Sequence, residues 1–226
     1  AIGSPNLDSE ARLGYAPAQT IQARMIGMTG ATKPMDALEQ VGTIIVLGSD
    51  LKAESAGFGY RVITAATKHD AKLVIASARP TSLDSFANSA LRYKAGSEGF
   101  VALGLAKAAL NQNKLNAGSA EGLDGFKQAV AATSFDQIQA ATGLSEAELN
   151  DAISFVNGSV AVVYGHEFMR SADSVAAVTG AINLALLTGA ELYPIDEKNN
   201  TQGMLDMGVS PAEGGKELLQ IIDAIE

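Results

Sequence analysis

The 226-residue sequence has no cysteine, no tryptophan, two histidines and only 5% aromatic residues. Without cysteine there is no disulfide framework, no Cys-ligated zinc site and no cysteine-bound iron–sulfur cluster in this segment. Two histidines leave little for other metals. Basic residues are also scarce. Sixteen Lys+Arg against 25 Asp+Glu give a formal charge of −9, which repels nucleic-acid phosphates and anionic bilayers, so neither is expected as a partner. No basic segment precedes an apolar run at the N-terminus, and the most apolar region, 175–187, is broken by Thr179, Gly180 and Asn183. A membrane-inserted segment is therefore not expected. The opening Ala1-Ile2-Gly3-Ser4-Pro5-Asn6 lacks Met and reads as the middle of a connection, so a domain from a longer polypeptide is expected.

What is present suits a folded core. Hydrophobic residues make up 47% and charged residues 18%, with a mean hydropathy of +0.13, far from the composition of disordered chains. Thr43-Ile44-Ile45-Val46-Leu47 is a continuous apolar run ended by Gly48, as expected of a parallel strand covered on both faces. Phe58, Val62, Ala65 and Ala66 then share a helix face in a stretch running to Lys68, and Leu73-Val74-Ile75-Ala76 reads as a second buried strand. Strand, helix and strand make a βαβ unit. Helices are expected over 82–90, 99–111, 126–133, 135–141 and 145–155, the last opened by the capping box Ser145-Glu146-Ala147-Glu148. A further strand over 159–164, ended by Gly165, and a long helix over 174–187 repeat the first pattern. Such a repeat is typical of doubly wound α/β folds with a mainly parallel, Rossmann-like sheet. A helix-like stretch over 18–26 precedes all of this, and a terminal helix is expected over 216–225.

In such a fold ligands bind beyond the carboxyl ends of the strands. Gly48, Ser49 and Asp50 stand there: glycine lets a phosphate approach and serine offers a hydroxyl, while a plain strand-to-helix turn explains them equally well. Arg79 and Thr81 follow the second strand and suit a diphosphate or ribose, or a surface loop. Gly96 and Glu98 open a helix, Glu98 being either a cap residue or an acceptor for a guanine edge. His166, beside Glu167, follows Gly165 and suits acid–base work or an exposed loop. Asn199, Asn200 and Gln202 offer paired donors and acceptors for a heterocycle, or an ordinary turn. Two phosphate motifs fail. Gly57-Phe58-Gly59 lies within a helix pattern and lacks the third glycine of a dinucleotide fingerprint, and in Gly214-Gly215-Lys216-Glu217 a glutamate replaces the metal-ligating hydroxyl.

Several segments together resemble the molybdopterin oxidoreductase family, which includes formate dehydrogenases, nitrate reductases and the large iron–sulfur subunit of NADH-quinone oxidoreductase. Residues 4–13 are similar to its T-N-N-x-D-x-x-x-R segment, with Gly14 at a frequent cysteine position. Gly48-Ser49-Asp50 is similar to G-S-N, with Ser55-Ala56 in place of His-Pro. Residues 77–81 correspond to D-P-R-R-T, Ser77 having lost the carboxylate, and residues 95–98 to P-G-T-D, Glu98 having kept one. The tail is the most specific part: residues 184–189 and 199–208 resemble L-A-L-L-T-G and N-N-x-Q-G-x-x-D-M-G.

The resemblance implies a cofactor-binding α/β region, in which residues 1–34 are an arm belonging to a preceding domain. Residues 35–195 would form the dinucleotide-binding-like domain, and 196–226 a loop and helix returning toward the arm. It also implies a scaffold role in the large iron–sulfur subunit of NADH-quinone oxidoreductase, supporting electron transfer from NADH to quinone. In that role the fragment carries no cofactor, iron–sulfur clusters lie elsewhere in the parent, and other subunits of a respiratory complex are the partners. The location implied is cytoplasmic, peripheral to the inner membrane. The alternative is the molybdopterin guanine dinucleotide domain of an enzyme such as formate dehydrogenase, with Gly48, Ser49, Asp50, Ser77, Arg79, Thr81, Gly96, Glu98, Gly165, His166, Asn200 and Gln202 lining the nucleotide site.

Overall fold

The computed structural model describes residues 3–118, 121–196 and 198–225. Ala1 and Ile2 of the expected arm, Glu197 at the start of the amide-rich loop, Ser119, Ala120 and Glu226 lie outside the described residues.

Among the described residues, five parallel strands form one sheet: β1 (Thr43–Leu47), β2 (Lys72–Ser77), β3 (Ser89–Arg92), β4 (Val160–Tyr164) and β5 (Glu191–Pro194), in the spatial order β3-β2-β1-β4-β5. The sequence direction of strand order reverses between β1 and β4, which pair in register from Thr43 with Val160 to Leu47 with Tyr164. That reversal is the topological switch point of a doubly wound sheet.

Helices fill both faces. In chain order they are α1 (Tyr15–Ile26), α2 (Leu51–Glu54), α3 (Ala56–Lys68), α4 (Glu98–Asn111), α5 (Leu123–Ala132), α6 (Phe135–Thr142), α7 (Glu146–Ser154), α8 (His166–Met169), α9 (Ser174–Thr188), α10 (Thr201–Asp206) and α11 (Leu218–Asp223). Ile44, Val46, Leu73, Ile75 and Val163 face α3. Ile45, Leu47, Val74, Ala76 and Val162 face the larger core under α1, α4 and α9. Period-two alternation of side chains thus serves two cores at once, which is why these strands read as unbroken apolar runs. Helices α4 and α9 approach closely because small residues line their seam; a Cβ on Gly180 would lie 2.7 Å from that of Ala102.

Four expectations need correction. The stretch 82–90 is not a helix: a short 3₁₀ turn, Asp84–Phe86, leads into β3. Leu83, Phe86, Ala87 and Ala90 imitate helical spacing, but the Asn88 side chain accepts from the Leu73 N–H at 2.9 Å and Asn88 N–H donates to the Leu73 carbonyl at 2.7 Å, drawing the segment onto the sheet edge. The helix after β1 is broken at Ser55 into α2 and α3. The terminal helix is shorter than expected, and α1 begins three residues before the predicted stretch.

Segments 5–8 and 212–218 meet. The N–H of Ala212 donates to the Pro5 carbonyl at 3.1 Å, that of Lys216 to Asn6 Oδ1 at 2.9 Å, and that of Leu218 to Asp8 Oδ2 at 2.9 Å. Burial acts to raise the Asp8 carboxyl, but hydrogen bonds from Arg12 and the Leu218 N–H outweigh it and bring the group below the usual range.

Candidate functional site at the carboxyl edge of the sheet

The turns after β1, β2, β3 and β4 all emerge on one edge, since the strands are parallel. Gly48, Ser49 and Asp50 follow β1, Arg79 and Thr81 follow β2, and Gly165 and His166 follow β4. Gly96 and Glu98 lie in the β3–α4 connection, and Asn200 and Gln202 beyond β5. Ser77 ends β2 itself and is fully buried.

At the switch point the turns are closed by two glutamates: Glu54, which sequence reasoning missed, and Glu167, which it noted only as the carboxylate beside His166. Glu54, in α2, has one carboxylate oxygen accepting from the Asp50 N–H at 3.0 Å; the other accepts from the Ser49 hydroxyl at 2.7 Å and the His166 N–H at 3.4 Å. Glu167, in α8, reaches across β1 to the end of β2. It accepts from the Ser77 hydroxyl at 2.8 Å, the Ala78 N–H at 2.9 Å and the Tyr93 hydroxyl at 2.7 Å. Burial, then the Glu167 hydrogen bond and charge, push the Tyr93 phenol well above its ordinary value. An acidic residue after each glycine turn was the available signal. It has meaning only once β1 and β4 are known to be neighbours.

The other predicted residues also have partners within the chain. Arg79 is 66% exposed and lies 3.6 Å from Glu167. The Thr81 hydroxyl donates to Asp84 at 2.7 Å, and Asp50 accepts from the Ser82 hydroxyl at 2.5 Å. Burial acts to raise the Asp84 carboxyl, but hydrogen bonds from Arg92 and Thr81, with the Arg92 charge, keep it below its usual range. Glu98 is buried, accepting from the Gly96 N–H at 3.0 Å and the Ser171 hydroxyl at 2.6 Å. His166 Nε2 lies 3.3 Å from Asp196, whose other oxygen accepts from the Thr201 hydroxyl at 2.6 Å. Gln202 accepts from the Tyr15 hydroxyl at 3.1 Å and donates to Thr29 and Asp206. Asn200 adopts a left-handed conformation and precedes α10. Beside these groups, Ser55, Phe58, Asp196, Asn199 and Asn200 line a polar cleft of about 520 Å³. The edge therefore brings the predicted loops together, but directs most of their polar atoms at one another.

Comparison with known proteins accounts for this arrangement of loops. The family model described as molybdopterin oxidoreductase matches residues 1–223. The chain belongs to the molybdopterin oxidoreductase family. It is 40% identical over 260 aligned residues to the NADPH-Fe(3+) oxidoreductase subunit alpha of Geobacter sulfurreducens, in both strain DL-1/KN400 and strain PCA. The alignment covers all of this chain but 31% of each relative. Acetylene hydratase from Pelobacter acetylenicus superposes with a TM-score of 0.72 at 18% identity, over 83% of this chain and 26% of that one, a likeness of fold.

The family name implies a pterin cofactor, and the switch-point residues can be tested against its nucleotide form. A diphosphate needs free N–H donors and compensating cations. Here the N–H groups of Asp50, Ala78, Gly96 and His166 already face carboxylates, and Asp50, Glu54, Glu98, Glu167 and Asp196 crowd the edge with negative charge. At Gly14 a Cβ would lie 2.9 Å from Arg170 Cγ, so a side chain in that frequent cysteine position would meet Arg170. The residues present do not fit a nucleotide diphosphate at the switch point. Among the described residues no cluster of His, Cys, Asp and Glu is arranged to hold a metal ion, and no helix is long and apolar enough to cross a membrane.

Proposed function

We propose that this chain is a structural domain, with no redox centre of its own, in the large subunit of an NAD(P)H-linked electron-transfer oxidoreductase. The large iron–sulfur subunit of NADH-quinone oxidoreductase and the alpha subunit of NADPH-Fe(3+) oxidoreductase represent the kind. The observation that carries the reading is the switch point filled by Glu54 and Glu167, in a chain that belongs to a cofactor-binding family. The 40% identity to a subunit named alpha supports partner subunits. The chain spans 31% of that relative's length, so iron–sulfur clusters are assigned to other parts of the parent. Residues 1–34 and 196–226, which hydrogen-bond to one another, are assigned to joining the central α/β unit to what precedes it. The proposed location of the complex is cytoplasmic, peripheral to the inner membrane.

The competing reading, a molybdopterin guanine dinucleotide domain of a formate dehydrogenase-like enzyme, is favoured by the convergence of Ser49, Arg79, Glu98 and Gln202 on one edge. Metal and guanine analysis of the native full-length protein decides between them. The scaffold reading expects iron without molybdenum, tungsten or guanine. Guanine and either metal in stoichiometric amounts overturn it.

A further inference from the structure

Neither glycine turn at the switch point leaves a hole. A Cβ on Gly165 would lie 2.5 Å from Ser49 Cβ and 2.6 Å from Glu54 Oε2; one on Gly48 would lie 2.7 Å from both Glu167 Cβ and Phe168 Cδ2. Glycine at such a turn ordinarily lets a ligand phosphate come close to the backbone. Here the group that comes close belongs to the chain.

The chemistry around Glu54 is that of an oxyanion pocket. Its carboxylate is met by a backbone N–H from the β1 turn, another from the β4 turn and a hydroxyl on Ser49, which is 1% exposed. Among the described residues no Lys or Arg pairs with it, so N–H and O–H dipoles alone surround an anionic residue that is only 8% exposed. A protein needing only to satisfy three donors can use a serine, an asparagine or a water, each without the desolvation cost of a carboxylate. Glu167 is met in a similar way at β2, by a hydroxyl from Ser77, the Ala78 N–H and a phenol from Tyr93, and differs in having the exposed Arg79 guanidinium 3.6 Å away.

We propose that Glu54 and Glu167 are the residues that exclude phosphorylated ligands from this crevice: their carboxylates are built-in substitutes for phosphate, and truncating them turns the switch point into an open site for a phosphate-type anion. The inference rests on the scaffold reading and names the residues that enforce it. The donors are expected to keep their places in the variants, because backbone bonds tie the turns independently of the glutamate side chains: Gly48 N–H donates to the Ala76 carbonyl at 2.7 Å, Gly165 N–H to that of Leu47 at 3.0 Å and the residue-167 N–H to that of Gly48 at 3.0 Å.

The test is calorimetric titration of the full-length protein with inorganic pyrophosphate, in wild type, Glu54→Ala, Glu167→Ala and the double variant, at matched ionic strength. Wild type is expected to give no measurable binding. The double variant, which frees both sets of donors, removes two of the five carboxylates and releases Arg79 from Glu167, is expected to gain affinity by about tenfold or more, each single variant less, and Ser49→Ala added to the double variant is expected to reduce the gain. If the double variant does not bind while wild type also does not, the exclusion role is wrong and the scaffold reading stands. If wild type binds pyrophosphate as tightly as the variants, both fall. Should a variant fail to fold, its refolding yield in millimolar pyrophosphate against sodium chloride of equal ionic strength reads the same point: recovery with pyrophosphate alone supports the role, and equal recovery overturns it.

Discussion

The two ends of the sheet solve one problem differently. Backbone groups at the amino end are satisfied by neutral partners: the Thr43 hydroxyl donates to the Phe155 carbonyl at 2.9 Å and accepts from the Asn157 N–H at 3.0 Å, and Asn88 accepts from the Leu73 N–H. At the carboxyl end the acceptors are Glu54, Glu98 and Glu167. Both ends bury polar atoms, so satisfaction alone does not explain the charge. What differs is that N–H groups from adjacent turns converge at the carboxyl end, and their aligned dipoles favour an anion there. In this chain the anion is supplied by the fold itself.

The largest effects expected from breaking that contrast are steric. Gly165 has φ −130°, a conformation open to any residue, so Gly165→Ala isolates the crowding against Ser49 and Glu54. Gly48 has φ +59°, so Gly48→Ala adds backbone strain to a collision with Glu167 and Phe168. Each is expected to cost about 3 kcal/mol or more by urea denaturation, with Gly48→Ala the costlier. An alanine at the amino-end Gly158, φ +66° with nothing within 4 Å of its Cβ, carries the strain alone and is expected to cost about 1 kcal/mol. If Gly165→Ala proved neutral, the turns would be loosely filled and the built-in anion would lose its physical basis.

Next in size is the charge itself. Glu167→Gln keeps the shape but removes the charge: with its NH₂ donating to the Ser77 hydroxyl, a single neutral oxygen is left to accept from the Ala78 N–H and the Tyr93 hydroxyl, and the opposite orientation sets NH₂ against the Ala78 N–H. A loss of about 2–3 kcal/mol is expected. The counterpart at the amino end, Thr43→Val, leaves the Asn157 N–H without its acceptor and is expected to cost about 1–2 kcal/mol. Equal costs in the two variants would mean that the charged end is no more demanding than the neutral one.

How much of this was legible in the sequence follows the same division. Strands β1, β2 and β4 stood out because two covered faces require unbroken apolar runs, and α7 because its capping box is local; its Ser145 and Glu148 hydrogen-bond reciprocally as expected. The edge strand β3 was hidden because it buries only Leu91 fully and its preceding apolar residues repeat at helical spacing. Ser49 and His166 could be placed at the ligand edge from the glycine that ends each strand. What fills the turns could not, because Glu54 meets His166 only through the pairing of β1 with β4, whose partners Ile45 and Val162 are more than a hundred residues apart. Sequence patterns report burial and local caps. They do not report which donors a distant carboxylate will find.

The smallest effect sharpens the comparison by pH. Tyr93→Phe removes one neutral donor to Glu167 and is expected to cost about 1 kcal/mol near neutrality. Because burial, and then the bond to Glu167, raise the phenol above its usual value of 10.0, folding favours the neutral tyrosine. A group raised in this way stabilises the fold fully below the unfolded value and loses that contribution as pH climbs through and beyond it. The advantage of wild type over Tyr93→Phe should therefore hold from neutrality to about pH 10 and shrink above it. Tyr15, Tyr164 and Tyr193 are raised too, chiefly by burial, but they remain in both proteins, so the difference between the two alkaline denaturation curves reports Tyr93 alone. A difference that stayed constant above pH 10 would remove the phenol from the charged network and leave Glu167 held by Ser77 and Ala78.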